Sequence, residues 1–164
     1  MPLSLIYARS ENYCIGHNGK VPWNLPDEFS HFLKVIKGHA IIMGRKSYED
    51  HKSVIPNCFN IVISREQKYR ILDEVALVHS FHAAVLQAKY YSREYFLIGG
   101  ANLLEENFTH AQKVYETVVE TTIDGDTHLR PLDFSNFSSM KLTDHPPDNN
   151  HQYGFSTYLH QRTC

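Results

Sequence analysis

Short apolar runs recur along the chain at regular intervals. SLIYA (4–8), AIIMG (40–44), NIVIS (60–64), ALVHS (76–80) and YFLIG (95–99) each have strand length. Several are almost unbroken in Ile, Val, Leu and Phe, the composition of strands covered on both faces. Between them lie helical stretches. The clearest is 26–38, where Phe29, Phe32, Leu33 and Ile36 fall at i, i+3, i+4 and i+7 and form one apolar face. Pro26 stands at its entry and Gly38 at its exit. Segments 45–51, 81–91 and 101–108 read as the other helices. After about residue 113 the alternation stops. KVYETVVETT (113–122) is a β-branched run, and 137–144 and 153–161 read as two strands joined by the polar loop 145–152. The pattern predicts an α/β fold: a mostly parallel sheet with helices on both faces and an antiparallel hairpin at its C-terminal edge.

The chain has 164 residues, of which 42% are hydrophobic and 21% charged. That is globular composition, and the length suits one domain over 1–164. A formal charge of −2 offers no blanket attraction for nucleic acid or an anionic membrane. Eleven histidines make the surface charge responsive to mild acid. No pair of them has the spacing of a metal site, so no metal is expected. Cys14, Cys58 and Cys164 form no C-x-x-C, which argues against zinc or a disulfide framework and suits a reducing compartment. The N-terminal apolar run is too short for a signal peptide and no run has the length of a membrane span, so a cytoplasmic location is expected.

Several residues invite chemistry. Asp27 points away from the apolar face of helix 26–38, whereas Glu28 lies four residues before Phe32 on its flank. Glu28 is then either a boundary acid favoured by the helix dipole or a buried acid facing a pocket. Gly99-Gly100 follows a strand and opens a helix, as does Gly44 before Arg45, Lys46 and Ser47; Ser64-Arg65 closes a third strand. Ligands of open α/β sheets bind beyond the carboxyl ends of strands, so these ends suit a phosphate-rich ligand, although solvated loop cations would look the same. Trp23, the single tryptophan, sits in a loop just before Glu28 and could simply pack. Thr117, by itself, reads as an ordinary strand threonine.

Together these pieces resemble the dihydrofolate reductase family. The resemblance rests on IGHNGKVPWNLP (15–26), the acid-bearing helix that follows, IMGRKS (42–47), NIVISRE (60–66), LIGGA (97–101), AQKVYET (111–117) and DGDTH (124–128), in order over nearly the whole chain. It implies an eight-stranded mixed, mostly parallel sheet and hydride transfer from NADPH to C6 of dihydrofolate, with a proton going to N5. Glu28 matches the family's pterin-binding acid, Thr117 its supporting hydroxyl and Trp23 a ring that orders water nearby. Ile6, Phe29, Phe32 and Ile55 match the substrate-pocket wall. For the cofactor, Ala8 and Ile15 match backbone contacts to the carboxamide. Gly16 opens the mobile segment 16–23. Arg45, Ser64 and Arg65 match contacts to the 2′-phosphate. Lys46, Ser47 and the turn Gly100, Ala101, Asn102 and Leu103 match contacts to the pyrophosphate. Gly99-Gly100 matches a cis peptide. The implied partner is a small molecule and the implied state a monomer.

The chain also departs from the family. Cys58 stands where an arginine normally grips the glutamate tail of folate, and a thiol cannot form a bidentate ion pair. Leu104 replaces a tyrosine usual near the nicotinamide, Asn102 replaces a frequent cation, and His51 occupies a usually apolar position at the pocket lip. Lys34 and Lys52 are near enough in sequence to serve as substitute tail contacts. Two other readings stay open: a related reductase of a tail-less dihydropterin, and a non-catalytic folate- or NADPH-binding protein.

Overall fold

A computed structural model describes residues 2–51, 54–66, 71 and 74–163. Eight strands form one sheet. They are β1 (Leu3–Ser10), β3 (Ala40–Gly44), β4 (Phe59–Ile63), β5 (Val75–Val78), β6 (Tyr95–Gly99), β7 (Lys113–Val119), β9 (Phe137–His145) and β10 (Phe155–Arg162). Their order is β5-β4-β3-β6-β1-β7-β10-β9. The pairings from β5 through to β7 are parallel, and β10 runs antiparallel to both β7 and β9. The mixed sheet and the edge hairpin are therefore as expected from the apolar pattern. A further two-stranded sheet, β2 (Cys14–Gly16) with β8 (Thr127–His128), was not expected, because runs of three and two residues carry no periodicity.

Four helices cover the sheet: α1 (Pro26–Ile36), α2 (Arg45–His51), α3 (Phe81–Tyr91) and α4 (Ala101–Asn107), the last running into a 3₁₀ turn at Phe108–His110. Alternation along each strand separates two cores. Ile6, Ile41, Met43, Val62 and Phe96 face α1 and α2, through Ile36 and Tyr48. Leu3, Leu5, Ile42, Ile61 and Leu97 face α3 and α4, through Ala84, Val85, Ala88 and Leu104. Helix α1 ends two residues earlier than its apolar pattern suggests. Lys37 has left helical geometry, and Gly38 takes φ +83, which only glycine adopts without strain. Helix α3 is capped by Ser80, whose Oγ accepts the Ala83 N–H at 3.0 Å.

The hairpin brings together residues that sequence spacing keeps apart. Histidines remote in sequence from α1 reach it: the loop between β9 and β10 sets His145 Nε2 2.9 Å and His151 Nε2 3.8 Å from Asp27 Oδ2. Asp27, His145 and His151 thus form a group that no sequence spacing marks, because donors 118 residues apart meet only through the fold.

A second polar group is buried where β1, β7 and β10 adjoin. Glu116, 6% exposed, accepts from Tyr7 Oη at 2.9 Å and Arg9 Nε at 2.9 Å on Oε2, and meets His160 Nε2 at 3.1 Å on Oε1. Burial would raise its pKa, but His160, Arg9 and Tyr7 outweigh that and hold it below the ordinary carboxylate value of 4.5. Removing one member of such a group strands the others. Glu116→Ala is expected to lose about 3–5 kcal/mol in denaturant melts. The carboxylate's contribution is present above its unfolded pKa and disappears as pH falls through the folded one. Wild-type stability should thus decline below about pH 4.5 more steeply than that of Glu116→Gln.

Candidate active site

The sheet brings the matched segments to one edge. Strands β4, β3 and β6 are neighbours and parallel, so their carboxyl ends adjoin. Gly44 leads directly into α2 and Gly99-Gly100 into α4, which places Arg45, Lys46 and Ser47 beside Ala101, Asn102 and Leu103. The peptide between Gly99 and Gly100 is cis. Packing here is close. A Cβ on Gly99 would lie 2.7 Å from Ser47 Oγ, and one on Gly44 would lie 3.2 Å from Leu103 Cδ1. Glycine at both positions lets backbone amides line this edge, which suits an anionic ligand.

Arg45 spans Glu49 at 3.5 Å and Glu66 at 3.2 Å, and all three side chains are largely exposed. Surface pairs of this kind are weak, so an incoming phosphate can compete for the guanidinium. Arg65 and Lys46 are exposed as well. Ser64 is only 4% exposed, and its Oγ accepts the Glu66 N–H at 3.1 Å. It shapes the turn that carries Arg65 and keeps its own O–H to donate. His79 Nδ1 lies 2.8 Å from Ser64 O, a neighbour that the motif gives no hint of.

On the α1 face, Ile6 and Ala8 pair in register with Tyr115 and Thr117, so the four side chains share a side of the sheet. Ile6 is 3% and Thr117 4% exposed. The Trp23 ring packs with Leu25, Val119, Phe155 and Ala8, and its Nε1–H donates to Glu28 Oε1 at 2.9 Å. Glu28 is thus held directly by Trp23. Among the described residues no hydrogen bond joins Thr117 to Glu28. Burial pushes the Glu28 carboxyl above its ordinary 4.5, and the Trp23 bond only partly offsets this. Asp27, one residue earlier, has a side chain 60% exposed, so the helix register separates the two acids as the periodicity requires.

Phe29, 53% exposed, and Phe32 stack at 6.2 Å between ring centroids, while Ile55 is buried. The loop bearing Ile55 is organised by Asn60, a residue the sequence did not flag. Its amide bonds both Ile55 N and Ile55 O at 3.0 Å and Cys58 O at 3.1 Å. Cys58 turns inward and donates Sγ–H to Ile36 O at 3.3 Å, at the end of α1. Leu104 is 1% exposed in the core under α4, and Lys34 is exposed on α1. The side chains of His51 and Lys52 lie outside the described residues. Segment 16–23 is pinned through β2 to β8: Ile15 and Gly16 lie in β2, and Asn18 N donates to Asp126 Oδ2 at 2.9 Å. A concavity of about 450 Å3 beside Phe108, Arg130 and Phe137 contains none of these residues.

This is an α/β protein in which glycines and exposed cations gather at the carboxyl ends of parallel strands, with one half-buried acid on the adjoining face. The family model for dihydrofolate reductase matches residues 2–162, and the chain belongs to that family. It is 31% identical over 160 residues to the dihydrofolate reductase of Bacillus subtilis, covering 98% of this chain and 94% of that one. With the enzyme of Buchnera aphidicola it shares 38% over 133 residues, 81% and 80% of the two chains. A solved structure of Enterococcus faecalis dihydrofolate reductase, complexed with NADP(H) and RAB-propyl, superposes with a TM-score of 0.91 over 99% of this chain and 96% of its own, at 24% identity.

The raised Glu28 pKa has a consequence for stability. Below pH 4.5 the carboxyl is protonated in both folded and unfolded chains. As pH rises from there to the higher folded value, the unfolded chain releases the proton first, so stability falls. Glu28→Gln keeps the acceptor for Trp23 and removes the charge. Thermal melts should show the variant more stable than wild type at pH 7, with the gain vanishing below about pH 4.5.

Proposed function

We propose that this chain reduces 7,8-dihydrofolate to tetrahydrofolate, with Glu28 as the acid that orients the pterin and raises its readiness to accept a proton at N5. The observation that carries the reading is a carboxyl pushed up by burial, held by Trp23, on the sheet face that adjoins the glycine-lined strand ends. The residues at those ends fit NADPH. Arg45 and Arg65 with Ser64 suit the 2′-phosphate; Lys46, Ser47 and Ala101 to Leu103, opened by Gly99 and Gly100, suit the pyrophosphate. Ala8, Ile15 and Gly16 offer backbone for the carboxamide. When bound, NADPH supplies the hydride that goes to C6. Glu28 accepts hydrogen bonds from the pterin 2-amino group and N3 side, and its negative charge favours N5 protonation through water. Thr117 supports this end from β7. Ile6, Phe29, Phe32 and Ile55 enclose the ring, and closure of 16–23 excludes water during transfer. The reading carries with it a cytoplasmic monomer acting on small molecules, without nucleic acid or membrane partners. No helix among the described residues is long and apolar enough to cross a membrane.

A second reading, a reductase of a tail-less dihydropterin, is favoured by one observation: Cys58 holds Ile36 O instead of offering a cation to a carboxylate. Oxidation of NADPH, followed with dihydrofolate and with a free dihydropterin, separates the two. Turnover of the free pterin alone would overturn the first.

Glu28→Gln should lower the hydride-transfer rate at neutral pH by at least about tenfold, or roughly 1.4 kcal/mol of barrier, in a folded enzyme. Asp27→Asn, assayed in chelator, should leave it within about twofold. Equal losses from both would place the acid elsewhere.

NADPH should be preferred to NADH by at least about tenfold in kcat/KM, since each charge-assisted phosphate contact contributes about 1.5–3 kcal/mol. Arg65→Ala and high salt should each shrink the preference.

A further inference from the structure

We propose that Asp27, His145 and His151 bind one divalent transition-metal ion, Zn2+ before others, which ties the β9–β10 loop to the first turn of α1. Three donor atoms, one from each residue, lie within 4.8 Å of one another. His145 Nε2 and His151 Nε2 are 2.9 and 3.8 Å from the same oxygen, Asp27 Oδ2. Ligand atoms around a tetrahedral zinc with bonds of about 2.0–2.1 Å stand roughly 3.3 Å apart, so these spacings bracket the required one. Two imidazoles and a carboxylate suit Zn2+, Co2+, Ni2+ or Cu2+, whereas Ca2+ and Mg2+ require oxygen throughout.

The surroundings hold the rings as a metal site needs. His145 Nδ1 is 2.8 Å from Pro146 O, and His151 Nδ1 is 2.8 Å from Asp148 Oδ1. Both outer nitrogens are therefore occupied and both Nε2 atoms face Asp27, the arrangement in which a second partner fixes the tautomer of a ligating histidine. Stacking adds rigidity: the His145 ring lies 4.9 Å from Phe155 at 9°, and the two imidazoles are 4.4 Å apart. His151 is only 3% exposed. Two polar contacts change on binding. Nε2 of His151 accepts the Asp27 N–H at 3.1 Å, and His145 Nε2 bonds the Asp27 carboxylate. The ion takes the lone pair of the first and replaces the proton of the second; the Asp27 N–H, at an exposed helix start, passes to water. Water completes the fourth position, while Asp148 holds His151 Nδ1 from outside. Asp27 and Asp148 together balance the charge of the ion.

The test is a titration of the full chain with Co2+ and with Zn2+, without substrate or cofactor. One equivalent of Co2+ should give visible d–d absorption with no thiolate charge-transfer band, and Zn2+ should displace it. Zn2+ should also raise the melting temperature. Asp27→Asn, a change at an exposed side chain that keeps the fold, and His145→Gln should each weaken Zn2+ binding by at least about tenfold. His82→Gln, on the exposed side of α3, should not change it. The proposal fails if wild type takes up no ion at micromolar concentration. It fails equally if binding survives both variants unweakened, or if a thiolate band shows that cysteine holds the ion.

Discussion

The close approach of two strand ends underlies the rest of this molecule. β3 and β6 are hydrogen-bonded neighbours, and both hand over to a helix within a residue or two of the sheet. Ser47 at the start of α2 and Leu103 in α4 then occupy the space that side chains on Gly99 and Gly44 would need. A side chain on Gly99 would meet Ser47 at 2.7 Å, and one on Gly44 would need Leu103 to give way. In exchange, backbone amides and flanking cations gather along one edge, and the helices are free to cover opposite faces. Position in the sheet order matters as much as residue type: β6 lies between β3 and β1, so the anion-suited edge continues into the face where Ile6, Ala8 and Thr117 lie.

Two buried carboxyls illustrate how neighbours decide the behaviour of one functional group. Glu28 has one neutral donor, the Trp23 indole, and burial pushes its pKa up. Glu116 is buried too, yet a guanidinium, an imidazole and a phenol surround it and its pKa is held down. The first keeps a raised pKa beside a single neutral donor; the second joins β1, β7 and β10 and is a structural charge. Desolvation acts on both. The count and charge of partners separates them.

The loop from Ile55 to Asn60 is closed by side chains that bond backbone. Asn60 closes the loop with three hydrogen bonds, and the Cys58 thiol satisfies the Ile36 carbonyl at the end of α1. Burial pushes the Cys58 thiol up, so it stays protonated and donates. Cys58 therefore has a local structural role at the end of α1.

Much of this was legible in the sequence alone. Strand-length apolar runs alternating with helical stretches predicted the parallel sheet, because burial on both faces leaves a composition that no other element shares. The 3.6-residue period of α1 separated Glu28 from Asp27 without any structure. Glycines before Arg45 and Ala101 marked the two strand ends that adjoin in the sheet. What sequence could not settle was whatever depended on long-range meetings. The direct bond from Trp23, the Glu116 group, the pinning of segment 16–23 by Asp126, and the meeting of Asp27 with His145 and His151 join residues whose spacing carries no pattern. Asn60 and Cys58 are close in sequence, but their side chains choose backbone partners only once the loop and α1 are packed. Local periodicity encodes which face is buried; the partners and the pKa of a polar group on that face are decided when distant strands close around it.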